Sequence, residues 1–327
     1  MLKYIKSNRY FETWPSWNVV HEWEDIISEK LSLKIFKKNT LLTFLKNSSK
    51  GRLRNKICRS YLFSKNLKER CLVFHIMPQD NSALIGKSDV PVVIDIWGDI
   101  DVSNFNNTYS KCPYIYVTSK EVLEFLQPKT KIELKYFPMT LPDKYFKGEF
   151  DDSLAKSICE KKDIDIIQIG RGNAVLDEWT KQYLIANPNT NYVYQKVIDG
   201  RFFFYSNLYG EVCQRKDRSD YFNLLQRSKV ALYSSAGIDD GVERTGGFNA
   251  LTPRLLESLS QYTFIVGRYA DNVEYREVRD HIKNCQSYDE FDSEMTRFLS
   301  IGDIEFLKWS QNFISKYLTS KWIKVLK

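Results

Sequence analysis

The sequence predicts an α/β protein built from two doubly wound domains, and three observations carry that expectation. Its 327 residues suit two domains of roughly 150 residues better than one. Short apolar runs rich in Val, Ile and Tyr alternate with segments of helical periodicity, as expected of buried parallel strands joined by crossover helices. This alternation stops at Pro138–Asp152, a stretch with two prolines, a glycine and no clear period, and then begins again.

In the first series, strands are expected at Cys71–Met77, Pro91–Ile96, Tyr114–Thr118 and Ile132–Phe137. Helices are expected at Val19–Leu31, with apolar Val19, Val20, Trp23, Ile26 and Ile27, and at Ser119–Leu126. There Ser119 stands as N-cap, with Val122, Leu123 and Leu126 on one face. The second series has strands at Ile164–Ile169, Tyr192–Gln195, Val230–Ser234 and Thr263–Val266. Its helices are Val175–Ala186, Asp220–Arg227, Pro253–Gln261 and Tyr288–Leu299, and Asp303–Leu326 reads as helical throughout. The domains are therefore expected at 1–140 and 153–327 with a linker at 141–152, the last helix being able to return to the first domain. A ligand cleft is expected between them.

Composition narrows the function classes. Hydrophobic residues at 43% and charged residues at 27% make an ordinary globular balance. Aromatics at 14% suit binding of flat-faced ligands and equally an aromatic-rich core. No apolar run reaches the roughly 18–20 residues that cross a bilayer, and the N-terminal MLKYIKSNRYFETW lacks the apolar stretch of a secretory signal. The six cysteines are scattered without paired spacing, which argues against a zinc site and a disulfide framework and for a reducing cytoplasm. The net charge of +7 comes from the first 70 residues, which hold 16 Lys/Arg against 6 Asp/Glu. Within them Lys34–Arg70 carries twelve cations and one anion, interleaved with apolar residues. Such a stretch can hold an anionic membrane surface, a diphosphate or nucleic acid, or be a solvated face.

The chemistry concentrates in Tyr221–Arg268. A strand ends in Tyr233 and Ser234, and a loop with Gly237, Gly241, Gly246 and Gly247 follows. Thr252-Pro253 then starts a helix, Thr252 as the cap and Pro253 at the first helical position. A glycine loop opening into a helix N-terminus is an anion site. Arg254, at the second position, opposes the helix dipole unless an anion lies near; the alternative is a surface pair with Glu257 three residues on. Glu257, one turn in, can accept hydrogen bonds from ribose hydroxyls or lie at the surface. A second glycine turn, Gly170-Arg171-Gly172-Asn173, closes the first strand of the second series and lets backbone approach a diphosphate. The full dinucleotide fingerprint is absent, which weighs against a dehydrogenase.

The string LTPRLLESLSQYTFIVG, with the strand and glycine loop before it, resembles the donor-binding segment of bacterial GT-B glycosyltransferases, a glycosyltransferase family 1-like C-terminal segment of about 50 residues. The resemblance implies two Rossmann-like doubly wound domains facing a central cleft, the first on the acceptor side and the second binding a nucleotide-sugar donor. It places the donor ribose on Glu257 and the diphosphate along Thr252, Pro253 and Arg254, with Arg171 after Gly170, and more weakly Lys181, on the donor phosphate. Tyr233 and Ser234 at the strand end and Gly246 and Gly247 in the loop complete the expected donor site. Many retaining members carry two acidic residues at a closer spacing than Glu243 and Glu257 here, so no sugar role passes to Glu243.

An inverting transferase needs a general base. Asp99, in the loop after Gly98, and His75, near a strand end, are the candidates, Asp99 first; His75 inside an apolar strand is more often a satisfied core histidine. Asp99-Ile100-Asp101 and Asp163-Ile164-Asp165 spell a metal-binding pattern of a different fold, so no metal or other cofactor is assigned. The expected partners are a nucleotide-sugar donor and a glycan or lipid-diphosphate-linked acceptor of surface polysaccharide assembly (O-antigen or capsule), with Lys34–Arg70 against the inner membrane face. Nucleotide-sugar epimerisation on the same fold is a rival. Nucleic-acid binding is another, set aside because no nucleic-acid motif is present and the C-terminal half would go unexplained.

Overall fold

A computed structural model describes residues 2–7, 9, 15–35, 69–75, 85–94, 102–301 and 303–327. The chain divides into two compact units, Met1–Pro142 with Thr319–Lys327, and Asp143–Leu318.

The first unit contains β1 (Leu2–Lys6), α1 (Trp17–Leu31), β2 (Lys34–Ile35), β3 (Arg70–His75), β4 (Asp89–Val93), α2 (Val102–Tyr109), β5 (Ile115–Val117), α3 (Lys120–Leu126) and β6 (Leu134–Tyr136). Its sheet has the order β2-β1-β3-β4-β5-β6, and every described pairing is parallel. Parallel strands covered on both faces need apolar side chains on both, and Cys71–His75 and Asp89–Val93 are buried throughout. Helix α1 lays Val20, Trp23 and Ile27 into a core with Phe74, Val92, Tyr116 and Phe137. It ends at Ser32, whose left-handed φ of 54° lets its N–H reach Glu29 O and Ser28 O. Ser119 caps α3 by accepting from Val122 N, as the sequence predicts. Strand β1 went unread because Lys3 and Lys6 interrupt it. Lys6 is nevertheless buried, with its Nζ 2.7 Å from the buried Asp89 carboxylate, which also accepts from Gly86 N.

The second unit contains α4 (Asp152–Cys159), β7 (Ile164–Gln168), α5 (Ala174–Ala186), β8 (Tyr192–Ile198), β9 (Arg201–Ser206), β10 (Gly210–Gln214), α6 (Arg218–Arg227), β11 (Ser228–Ser234), α7 (Pro253–Ser260), β12 (Phe264–Arg268), α8 (Tyr288–Thr296) and α9 (Ile304–Ser315). The sheet order is β10-β9-β8-β7-β11-β12. Strand β9 runs antiparallel to both neighbours and the other pairings are parallel. The hairpin β8–β9 turns on Asp199 (φ 50°) and Gly200 (φ 72°), a two-residue turn with both centres left-handed. It overturns the expectation of a short strand at Tyr192–Gln195, since β8 continues for three more residues.

The last segment also differs from expectation. Instead of one helix over Asp303–Leu326, α9 stops at Ser315. Thr319 N donates to Leu141 O at 3.0 Å, the Thr319 and Thr140 hydroxyls lie 3.0 Å apart, and Ile323 and Leu326 enter the first unit's core. Likewise α8 ends at Thr296 and is followed by a π-helical turn, Arg297–Ile301. Two six-stranded, mostly parallel sheets flanked by helices make this the two-domain Rossmann-like α/β class expected from the sequence. Strand order reverses between β1 and β3 in one unit and between β7 and β11 in the other. Open α/β sheets bind ligands at such points, outside the carboxyl ends of the strands.

Candidate functional site

In the second unit the two loops flanking the reversal are the two that the sequence singled out. The first leaves β7 at Ile169. Gly170 has φ +84°, a backbone conformation that demands glycine, and a Cβ there would lie 2.9 Å from Arg254 Nη1, displacing that guanidinium. Arg254 Nη1 donates to Ile169 O at 2.7 Å and to Arg171 O at 3.4 Å. The cation at the second position of α7 is thus held against the Gly170 turn, and the pair with Glu257 does not form. A Cβ on Gly172 would sit 2.7 Å from Asp177 Oδ2. Asn173 then caps α5, its Oδ1 accepting from Val175 N and Leu176 N.

The second loop leaves β11 after Ser234. It contains two short helical turns, Asp239–Gly241 and Val242–Thr245, the second closed by Gly246 at φ 62° and Gly247 at φ 83°. Asn249 ties the loop to itself, accepting from Gly237 N at 2.7 Å and donating to Gly247 O at 2.7 Å. Asp239, at φ 49°, accepts from Arg268 Nε and Nη2, each at 2.8 Å, and from Asn173 Nδ2 at 2.8 Å. The hydrogen bond from Arg268 holds the Asp239 carboxyl below its ordinary pKa against the opposing effect of burial.

Pro253 occupies the first position of α7 as predicted, but Thr252 makes no side-chain cap. Its hydroxyl donates to Tyr233 OH at 3.3 Å. Tyr233 OH lies 2.8 Å from Tyr275 OH, which donates to Ala250 O at 3.1 Å. The buried phenols need partners, and Thr252 serves that chain instead of the helix end.

Glu257 is only 3% exposed, so it is not a surface residue. Its Oε1 accepts from Arg218 Nη2 and its Oε2 from Tyr221 OH, each at 2.7 Å. Burial and the adjacent carboxylate hold the Tyr221 phenol well above its ordinary pKa. Arg215 lies with its guanidinium 5.4 Å over the Tyr221 ring. Arg218, Tyr221, Asp239 and Arg268 were not singled out in the sequence. The capping box at Asp217–Asp220 is the one local signal that α6 begins beside them.

Of the expected residues, the structure joins Gly170, Arg171 and Arg254, and separately Tyr233 and Thr252, at the carboxyl edge of this sheet. Ser234 closes β11, Gly246 and Gly247 lie in the loop that follows it, and Pro253 and Glu257 are on α7. Lys181 does not join them: it stands about two turns along α5, 72% exposed and 3.8 Å from Glu178. In the first unit His75 closes β3, is 1% exposed, and has Nδ1 3.3 Å from Tyr109 OH. Asp99 and Asp101 lie outside the described residues, as does Lys34–Arg70 apart from Lys34, Ile35, Glu69 and Arg70. Asp163 and Asp165 are engaged by Arg227 and Lys229. Among the described residues no three His, Cys, Asp or Glu gather to hold a metal, and no helix is long and apolar enough to cross a membrane.

No family model matches the sequence, and no curated protein does. Similar solved structures include a Listeria monocytogenes protein provisionally described as a UDP-N-acetylglucosamine 2-epimerase, with TM-score 0.55 and 11% identity over 99% of this chain and 94% of that one. A sucrose-phosphate synthase from Thermosynechococcus elongatus has TM-score 0.49 and 8% identity over 84% and 76%. A glycotransferase of kitacinnamycin has TM-score 0.43 and 8% identity over 99% and 97%. The Listeria match, with its TM-score above 0.5, shows at 11% identity a likeness of fold alone, of the GT-B class.

Proposed function

We propose that this protein is a glycosyltransferase whose second unit binds a nucleotide-sugar donor. The carrying observation is the Gly170 turn held on Arg254, which gathers a left-handed glycine, a cation and a helix start at the strand-order reversal. The donor diphosphate would lie along Gly170–Arg171 and the start of α7 at Thr252-Pro253, where cationic side chains and helix ends stabilise the leaving group. No divalent metal is then required, and activity retained in chelator would agree. Each carboxylate oxygen accepts two hydrogen bonds, so ribose hydroxyls can add to Glu257 without displacing Arg218 or Tyr221. The acceptor, a glycan or lipid-diphosphate-linked glycan of surface polysaccharide assembly, falls to the first unit, with His75 or Asp99 as base and Lys34–Arg70 against an anionic leaflet.

The test is thermal denaturation with UDP, GDP, CDP, dTDP and ADP. A ligand that binds only the folded state stabilises it by about 2.7 kcal/mol at a hundredfold excess over Kd. One nucleotide should raise Tm in the parent and not in Arg254→Ala or Gly170→Ala; no shift with any of them at millimolar concentration sinks the proposal. Epimerisation is the second reading, favoured by the match over nearly the whole length of the Listeria structure. Isomerisation of the donor sugar without acceptor would decide for it.

A further inference from the structure

Among the described residues, Asp239 joins both loops of the candidate site to the end of β12. It belongs to the loop after β11, yet its carboxylate takes the amide of Asn173, the residue that closes the Gly170 turn and caps α5. The same carboxylate takes two nitrogens of Arg268 from the end of β12. Arg268 is fixed in turn by its third nitrogen, which donates to Cys285 O at 2.7 Å, and by the Trp179 ring of α5, 5.2 Å from the guanidinium carbon. Asp239 is only 17% exposed on its side chain and Arg268 15%, so the pair is shielded from screening by solvent. The backbone of Asp239 is left-handed at φ 49°. Such a conformation in a non-glycine residue persists where surrounding contacts impose it, and Asp tolerates it better than most.

We infer that Asp239 is the positioning residue of the donor site. It sets the glycine-bearing loop 235–252 against the Gly170 turn, so that both loops present their backbone to one bound nucleoside diphosphate. The inference rests on the donor-site reading above and adds the residue that assembles it. Asp239 itself need not touch the ligand. Its bidentate geometry with Arg268 is one that lysine cannot supply.

Three variants separate assembly from folding. Asp239→Asn suits the left-handed backbone but removes the charge. Asp239→Gly keeps the backbone conformation and removes every side-chain contact. Arg268→Lys leaves a charge without the fork. Each is titrated with the nucleoside diphosphates named above, alongside its Tm without ligand and hydrogen exchange over residues 170–176 and 235–252. We expect Kd to rise about tenfold or more in Asp239→Asn and Asp239→Gly, and less in Arg268→Lys; ligand-free Tm falls most in Asp239→Gly, which leaves the Arg268 guanidinium without its carboxylate, and least in Asp239→Asn, the variant that separates binding from stability. Nucleotide should protect both segments in the parent and only 170–176 in Asp239→Gly. If the parent binds a nucleotide and the Asp239 variants bind it equally with both segments protected, the positioning role is wrong while the donor site stands. If affinity falls only in proportion to a fallen Tm, the role is merely structural and the inference fails. If the parent binds none of the nucleotides, the donor-site reading fails and takes this one with it.

Discussion

A guanidinium in the first turn of a helix faces the positive end of the dipole, at a cost of a few tenths of a kcal/mol when exposed. Arg254 offsets it by donating to Ile169 O and Arg171 O, carbonyls freed at the end of β7. Glu24 in the first unit meets the opposite problem. It is fully buried, and burial, against the bonds from Ser7 and Arg9, raises its pKa from 4.5 to about 7. A carboxyl that holds its proton more tightly when folded contributes stability that is fully present below pH 4.5 and is lost as pH rises through about 7. Over that range the loss is at most about 3 kcal/mol. His21 acts oppositely: burial, then Arg9, lowers its pKa to about 4, so its contribution is present above pH 6.5 and lost as pH falls through about 4. The two slopes oppose each other between pH 4.5 and 6.5. Denaturant titrations of Glu24→Gln across this range should uncover the His21 rise, with stability increasing from pH 4 to 6.5. An unchanged pH profile would mean that Glu24 ionises normally.

At the scale of elements, α6 and α7 end at the amino edge of the second sheet, where their last carbonyls need donors. Lys162 supplies them. Its buried Nζ donates to Gln226 O, Ser228 O and Gln261 O at 3.2, 2.6 and 3.1 Å. Burial lowers its pKa to about 7, which matters less than the three carbonyls that would lose their donor. Lys162→Met should therefore cost about 2–4 kcal/mol, read as a lower urea midpoint for the second unit. A midpoint within error of the parent's would show that water replaces the ammonium. Most other elements were legible: the Ser119 cap, the Pro253 start and the four strands of each series came from local pattern. Strands β9 and β10 did not, although Asp199-Gly200 between aromatic runs is a hairpin signal. The alternating crossovers around it drew the reading toward parallel strands. Thr252 does not cap because its hydroxyl is turned toward Tyr233 OH, to which it donates, and away from the free N–H groups of the first turn.

At the scale of the whole molecule, the chain leaves its first unit at Pro142 and re-enters it at Thr319. The re-entering segment brings Ile323 and Leu326 into the core and Thr319 onto Leu141 O. Burying two such side chains is worth about 1.5–3 kcal/mol each, and a backbone hydrogen bond adds about 1 kcal/mol. Truncation after Leu318 should lower the unfolding free energy of the first unit by about 4–7 kcal/mol and leave the second near its parent value. Hydrogen exchange resolved by segment measures both, and equal loss in the two units would contradict this partition.

By itself the sequence determined the α/β class, the two series, the glycine turns and the helix beginning at Pro253. Each depends on periodicity, backbone conformational freedom or capping chemistry acting within a few residues. It could pick out Gly170, Arg254 and Glu257 one at a time, but not their partners. Arg254 was open to a local pair with Glu257, and only the folded chain chose Ile169 and Arg171 for the one and Arg218 and Tyr221 for the other. Likewise, nothing near Asp239 in sequence announces Asn173 or Arg268, which lie 66 and 29 residues away. A polar side chain spends its hydrogen bonds on whichever partner the packing of apolar faces brings within 3 Å, and that choice is made by the tertiary structure.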